Sequence, residues 1–452
     1  MGAVFSVRPE EVMDVLRKYI LVDGFDVVID MERSQGSYVV DARDGSRWVD
    51  MYTFFASSPF GMNHPRLANE EFKEKIFRAA INKVANSDIY TVEMAEFVKT
   101  FAEVALPEGF KYLFFIDYGT LAIENALKVA MDWKVRKLLS RGKITQDEAN
   151  WGLRGTKVIH FKDAFHGRSG YAISMTNTAD PNKYKYFAKL LWPRVLNPKI
   201  RWPLEEHLDE VVAAEKEAIK QIKDAIAANP DDICALIIET IQGEGGDNHF
   251  RGEFLRELRR ICDESEIMLV FDEVQCGMGI TGKMWAFEHF GVKPDIFAFG
   301  KKSQVCGIAV GPRVDEVEGH CFVESSRINS TWGGNICDMV RATRYLEIYR
   351  DEKVLDYVSE KAGPRLFEGL RSLAREFPGK VLNVRGRGLM CAFDLPTPAD
   401  RDAVIKKMWE KRMLILKSGT QGIRFRPALD VPLEAIDEAI EISRAALKEV
   451  FG

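Results

Sequence analysis

Short runs of apolar residues recur through the middle of the chain and alternate with stretches of helical period. Tyr112-Leu113-Phe114-Phe115-Ile116, Lys157-Val158-Ile159-His160-Phe161, Ile233-Cys234-Ala235-Leu236-Ile237-Ile238, Ile267-Met268-Leu269-Val270-Phe271 and Ile296-Phe297-Ala298-Phe299 are β-prone and almost free of polar residues. Runs of that length, apolar on both faces, predict strands buried in a parallel sheet. Between them, residues 121–139 carry apolar side chains at helical spacing, and residues 205–228 read as an amphipathic helix. The alternation predicts a doubly wound α/β domain over about residues 86–335. Before it, residues 37–41 and 47–51 flank the turn Arg43-Asp44-Gly45-Ser46 and predict a hairpin. After residue 336, helices flank short strands such as Leu389-Met390-Cys391-Ala392-Phe393, and the chain closes on a helix over residues 433–450.

With 452 residues the chain outgrows a single core, so two or three domains are expected. Hydrophobic residues at 46% and charged residues at 29% are ordinary for a globular protein, and a net charge of −5 offers no basic surface for nucleic acid or an anionic membrane. No apolar run approaches the roughly 18 residues of a membrane helix. The start, Met1-Gly2-Ala3-Val4-Phe5-Ser6, lacks the charged-then-apolar layout of a secretory leader. Seven scattered cysteines without a C-x-x-C pair fit reduced thiols in the cytoplasm. The histidines show no metal-ligand spacing, so no metal site is expected.

Two of the strands end in chemistry. Asp272-Glu273-Val274-Gln275 follows one run, and Lys301 follows the next, 29 positions after Asp272. That separation suits one strand–helix–strand crossover, which sets an acid and an amine at the carboxyl ends of neighbouring strands, where open α/β sheets bind ligands. Asp272 is either half of a structural salt bridge or the holder of a protonated ring nitrogen. Glu273 points to the opposite face by strand alternation. Lys301, and Lys302 beside it as a competitor, are amines whose pKa falls on burial, which makes a nucleophile. Gly119-Thr120, between a strand and a helix, is either a plain turn with Thr120 as cap or an anion site at a helix N-terminus. Gly277-Met278-Gly279-Ile280-Thr281-Gly282 matches a dinucleotide fingerprint literally, but the acidic residue expected downstream is misplaced. The overlapping Walker-type match finds Met284 where Ser or Thr is required. An amine for an aldehyde, an acid for a ring nitrogen and amides for a phosphate together describe pyridoxal 5'-phosphate.

These residues resemble the class III, ornithine-type aminotransferases of pyridoxal-phosphate fold type I. The resemblance spans nearly the whole chain. It is carried by the segment Gly119 to Lys128, by Phe165-His166-Gly167-Arg168, Asp272-Glu273-Val274-Gln275, Thr281-Gly282-Lys283, Gly300-Lys301, Ser330-Thr331-Trp332-Gly333-Gly334-Asn335 and Arg424-Phe425-Arg426-Pro427. The narrower likeness is to the branch that removes the 6-amino group of lysine, on Phe165 to Tyr171, Ile241-Gln242-Gly243-Glu244-Gly245-Gly246-Asp247, Gly300 to Gly307, Asn329-Ser330-Thr331-Trp332 and Arg385 to Phe393.

The resemblance implies a large, mostly parallel sheet domain (86–335) and a smaller α+β domain built from both chain ends (1–85 and 336–452). It implies a homodimer with a shared active site. Lys301 is expected to bond the cofactor aldehyde and shuttle a proton, Asp272 to hold the ring nitrogen protonated, and Glu239 to sit beside both. Gln275 is expected on the ring hydroxyl, Phe165 on the ring face with His166 next to it, and Gly119 and Thr120 on the phosphate, with Thr331 reaching in from the second subunit. Arg168, assisted by Asn329, is expected to hold the distant substrate carboxylate. Glu244 is expected to mask Arg424 until 2-oxoglutarate, the amino-group acceptor, is bound; the alternative is a permanent structural ion pair. The implied reaction converts lysine to its 6-semialdehyde and 2-oxoglutarate to glutamate, with ornithine, 4-aminobutyrate or a broad ω-amine as alternative donors. Three positions depart from the pattern: Tyr118 where glycine is usual, Thr240 in place of proline, and Cys276 in place of threonine. They raise the expectation of a pocket altered, by drift or by design, toward bulkier or less charged amines.

Overall fold

The computed structural model describes residues 6–452; Met1–Phe5, part of the start examined for a leader, lie outside them. Strands β1 (Tyr38–Val40) and β2 (Arg47–Asp50) form the expected hairpin, with Tyr38 opposite Val49.

The large sheet follows: β3 (Tyr112–Ile116), β4 (Lys157–Phe161), β5 (Arg194–Val195), β6 (Ile233–Glu239), β7 (Met268–Asp272), β8 (Ile296–Phe299) and β9 (Cys306–Val310). Their order is β3-β9-β8-β7-β6-β4-β5. From β8 across to β5 every pairing is parallel; β9 alone runs antiparallel to both its neighbours. Sequence reading did not single out β9. Too few residues separate it from β8 for a crossover, so it can only turn back antiparallel.

Alternation along β6–β8 builds two cores. Ala235, Ile237, Met268, Val270, Ile296 and Ala298 pack on one face with Ala122, Ile123 and Ala126 of the helix Gly119–Ser140. Leu236, Ile238, Leu269, Phe271, Phe297 and Phe299 pack on the other face, with Phe254 and Phe287. Every residue of these three strands is buried, which explains their unbroken apolar pattern.

The connection from β7 to β8 departs from the expected strand–helix–strand unit. It holds turns and a single 3-10 turn, Ala286–His289, and no α-helix. Its glycines serve packing rather than phosphate. Gly279 and Gly282 have φ of 85° and 86°, and a Cβ at Gly277 would lie 2.7 Å from Trp285. Glu273 organises this loop by accepting the amides of Ala286 at 2.7 Å and Phe287 at 3.1 Å.

Near the C-terminus, β10 (Leu382–Arg387), β11 (Met390–Asp394), β13 (Leu416–Ser418) and β14 (Gly422–Phe425) form an antiparallel sheet in the order β10-β11-β14-β13. The short strand β12 (Met413–Leu414) instead joins β2 in parallel, so both ends of the chain contribute to one small sheet. The closing helix, Leu433–Phe451, matches its expected span.

Candidate active site

Register places the chemistry. Glu239 at the end of β6 pairs with Asp272 at the end of β7, Asp272 pairs with Ala298 of β8, and Lys301 lies three residues further on. Alternation continues the face that packs the Gly119–Ser140 helix, so Asp272 and Glu239 share that side of the sheet. Thr240 and Glu273 share the other side, where the Thr240 hydroxyl donates to Glu273 at 2.6 Å.

Asp272 is 4% exposed. Its Oδ2 lies 2.8 Å from His166 Nδ1 and its Oδ1 accepts the Val274 amide at 3.0 Å. His166 is buried too, and its Nε2 has no hydrogen-bond partner among the described residues. Glu239 spends both oxygens on backbone: Oε1 accepts the Phe165 amide and Oε2 the Gly243 amide, each at 2.9 Å. Burial pushes its carboxyl up to about 7; His166 pulls it down and neighbouring Asp272 pushes it up. Its geometry is that of a group that positions Phe165 and the following glycine loop.

Lys301 follows an extended Gly300 and itself adopts φ 54°. Its Nζ donates to the Phe55 carbonyl at 3.1 Å, Lys302 Nζ to Ala56 at 2.7 Å and Gln304 Nε2 to Ser57 at 2.8 Å. The acceptors belong to a segment the sequence did not mark. Thr53, Phe54, Phe55 and Ala56 run at φ of 41°, 53°, 59° and 64°, a left-handed turn that costs about 1–2 kcal/mol per non-glycine residue. Asp50 Oδ1 holds it by accepting the amides of Tyr52 and Thr53, each at 2.8 Å. Burial, reinforced by Arg424, pulls Lys301 down to about 8, while Lys302 is drawn well below its usual value by burial and by Arg426. An amine whose hydrogen-bond partner is a neutral carbonyl and whose pKa is lowered is suited to attack an aldehyde.

At the other end of the site, Gly119 starts its helix under Val274; a Cβ there would lie 2.9 Å from Val274 Cγ1. The Thr120 hydroxyl is 2.7 Å from Ser169 Oγ, which in turn donates to Glu124 at 2.9 Å, so the helix start is tied to the loop carrying Phe165 and His166. Tyr118 has φ 70° and is 73% exposed. It lines a cavity of about 420 Å3 with Gly119, Lys301, Gln304 and Cys306. Thr240 and Cys276, by contrast, are fully buried, Thr240 on the far side of the sheet. Of the three departures, only Tyr118 faces open space near Lys301.

Arg424, on β14, is 2% exposed. It donates to Glu244 Oε2 at 2.5 Å and to Gln275 Oε1 at 3.1 Å. The second oxygen of Glu244 is held by Lys183, a residue sequence reading did not find because nothing in its local pattern marks it. Burial pushes the Glu244 carboxyl up, but Arg424 and Lys183 outweigh it and hold the group below the usual carboxylate range. Arg168 is exposed, with its guanidinium 6.0 Å from the centre of the Phe165 ring. Asn329 and Thr331 stand apart. Asn329 Oδ1 accepts the Ser330 amide at 2.7 Å and the Thr331 carbonyl accepts from Ser87 at 3.1 Å; within this chain neither bonds to the Asp272–Lys301 group.

The residues fit pyridoxal 5'-phosphate. Asp272 is a buried acid whose one side-chain partner is a histidine, and a protonated ring nitrogen supplies the cation it lacks. Lys301 offers the amine, and the helix start at Gly119 offers amides and a positive dipole end for the phosphate. Fold and site together define a pyridoxal-phosphate enzyme of fold type I.

The model of the family described as aminotransferase class III matches residues 21–447, and the chain belongs to that family. It is 49% identical to the L-lysine-epsilon aminotransferase of Mycobacterium tuberculosis over 98% of this chain and 96% of that protein. It is 44% identical to the L-lysine-epsilon aminotransferase of Streptomyces clavuligerus over 99% of this chain and 96% of that protein. A solved lysine aminotransferase from M. tuberculosis superposes with a TM-score of 0.94 at 48% identity, covering 98% of this chain and all of that one.

Proposed function

We propose that this aminotransferase moves the 6-amino group of L-lysine to 2-oxoglutarate, giving the 6-semialdehyde and L-glutamate. The observation that carries the reading is the Glu244–Arg424 pair at 2.5 Å, an arginine masked beside a reactive lysine. Lysine reacting at its far amine brings an uncharged chain past that position, so a bare guanidinium there would be unsatisfied. A 2-oxo acid brings a carboxylate to the same position, and an exposed Arg424 binds it through charge-assisted hydrogen bonds. In this reading Arg168, with Asn329, holds the carboxylate at the far end of either substrate.

Pyridoxal phosphate supplies the electron sink that makes a proton on the substrate carbon removable. The chain's residues do the rest. Asp272 keeps the ring nitrogen protonated and His166 fixes the orientation of Asp272. Lys301 Nζ takes and returns the proton at the substrate carbon. Phe165, held by Glu239, would cover the ring face. Gln275 would serve the ring hydroxyl, and Gly119 and Thr120 would hold the phosphate.

The same proposal includes a homodimer in which Thr331 and its loop complete the partner's phosphate site, and a cytoplasmic location. It also includes a division into a cofactor domain (86–335) and a small domain from 1–85 and 336–452, which the pairing of β12 with β2 supports. No helix among the described residues is long and apolar enough to cross a membrane.

Half-reaction spectroscopy on the holoenzyme tests the reading. L-lysine should bleach the cofactor band and 2-oxoglutarate should restore it. A band that ornithine, 4-aminobutyrate or an amine without a carboxylate bleaches faster than lysine would overturn the donor assignment and implicate Tyr118.

A further inference from the structure

The opening of Glu244 away from Arg424 raises a physical difficulty. A carboxylate held by a buried guanidinium cannot leave it cheaply unless another cation receives it, because a partly buried, unpaired charge is strongly unfavourable. The structure supplies that cation. Lys183, in the short turn Pro181–Lys183, contacts Glu244 Oε1 while Arg424 holds Oε2. Lys183 is itself largely buried, with a side chain 17% exposed, and Glu244 is its ion-pair partner among the described residues.

Beside Glu244, a cavity of about 200 Å3 is bordered by Lys183, Glu244, Lys417 and Thr420, and Arg424 is not in its wall. Room for the carboxylate therefore lies on the Lys183 side. The backbone around Glu244 is clamped. The Gly243 carbonyl accepts from Ser418 at 3.2 Å, and the Glu244 carbonyl accepts the Gly419 amide at 3.2 Å. Arg385 binds the Gly246 carbonyl at 2.6 Å, and Arg426 pairs with Asp247 at 2.7 Å. A Cβ at Gly245 would lie 1.9 Å from the Asp163 carbonyl. With the loop fixed on both sides, the freedom left is in the Glu244 side chain.

We propose that Lys183 is a positioning residue for the acceptor half of the reaction: it receives the Glu244 carboxylate when Arg424 is given up to 2-oxoglutarate. This rests on the switch reading of Glu244 and Arg424 above. Lys183 and Arg424 compete for one carboxylate, so the open state keeps a full ion pair. Without Lys183, Glu244 stays on Arg424 with both oxygens, and the acceptor must displace it against the whole interaction.

The test compares Lys183→Met, Lys183→Arg and Glu244→Gln holoenzymes. Lys183→Met should raise the KM for 2-oxoglutarate about tenfold or more, the effect of losing one charge-assisted partner, while the KM for lysine moves by less than about twofold. Lys183→Arg should recover most of the loss. In the Glu244→Gln background, Lys183→Met should add nothing. A rise in both KM values together, or none in that for 2-oxoglutarate although Glu244→Gln shifts the balance between donor and acceptor, overturns the role of Lys183 and leaves the switch standing. If Glu244→Gln itself leaves both half-reactions as they were, the switch reading fails and the inference with it.

Discussion

Tyr118 is the residue at which local rule and observed structure disagree most. Its φ of 70° with ψ of 134° suits glycine and strains a side chain. It stands immediately before Gly119, at the mouth of the cavity that Lys301 also lines. Tyr118→Gly should relieve the strain and raise the melting temperature of the cofactor-free chain, by the equivalent of about 1 kcal/mol after the added flexibility of the unfolded chain is subtracted. Calorimetry decides it, and an unchanged or lower melting temperature means that contacts of the ring outweigh the strain. Lys301 gives a second prediction. Its pKa in the folded chain lies near 8, below its usual 10.5. Between those values the unfolded chain holds a proton that the folded chain has released, so stability rises with pH across that window. The penalty is fully present below pH 8. Denaturant titrations of the cofactor-free chain from pH 7.5 to 9.5 should show that rise, and Lys301→Met should reduce it. Lys302, drawn well below its usual value by burial, by Arg426 and by Lys301 itself, adds a slope of its own, so the rise is reduced and not abolished.

Among the elements, β6, β7 and β8 were legible because burial on both faces leaves an unbroken apolar pattern that few alternatives share. The crossover between β7 and β8 was not. Its glycines mimic phosphate loops, and what organises them is a carboxylate whose partners are backbone amides more than ten residues away. Glu273→Ala should strand the amides of Ala286 and Phe287 and the Thr240 hydroxyl, costing about 2–4 kcal/mol. Hydrogen exchange should then quicken across residues 277–289 while β6 and β7 stay protected. Uniform protection loss would mean that the loop is not a separate unit of stability. The left-handed turn at Thr53–Ala56 was equally invisible, since no local preference favours it. It exists because Asp50 caps it and because Lys301, Lys302 and Gln304 occupy its carbonyls.

At the scale of the whole molecule, Phe54, Phe55, Phe77, Ile81, Ile89, Tyr90 and Trp332 are large apolar side chains left exposed. They come from the two stretches, 54–90 and 332, that adjoin Lys301 and Thr331 in sequence or structure. In the proposed homodimer a second copy of this chain would cover them. Ile89→Glu combined with Tyr90→Glu should sediment as a monomer and lose at least tenfold in activity. A wild-type chain that sediments as a monomer at enzymatic concentrations would refute the shared site.

By itself the sequence determined the strands β6, β7 and β8 and the acid and amine at or just beyond their ends. Those follow from local periodicity and from the cost of leaving an acid or an amine at a buried strand end. Only the tertiary structure decided which face each side chain took, that Glu239 and Thr240 look opposite ways, that Thr53–Ala56 coils left-handed against Lys301, and that Lys183 stands behind Glu244. These depend on register and on charges brought together from distant parts of the chain, and neither leaves a mark in any local window.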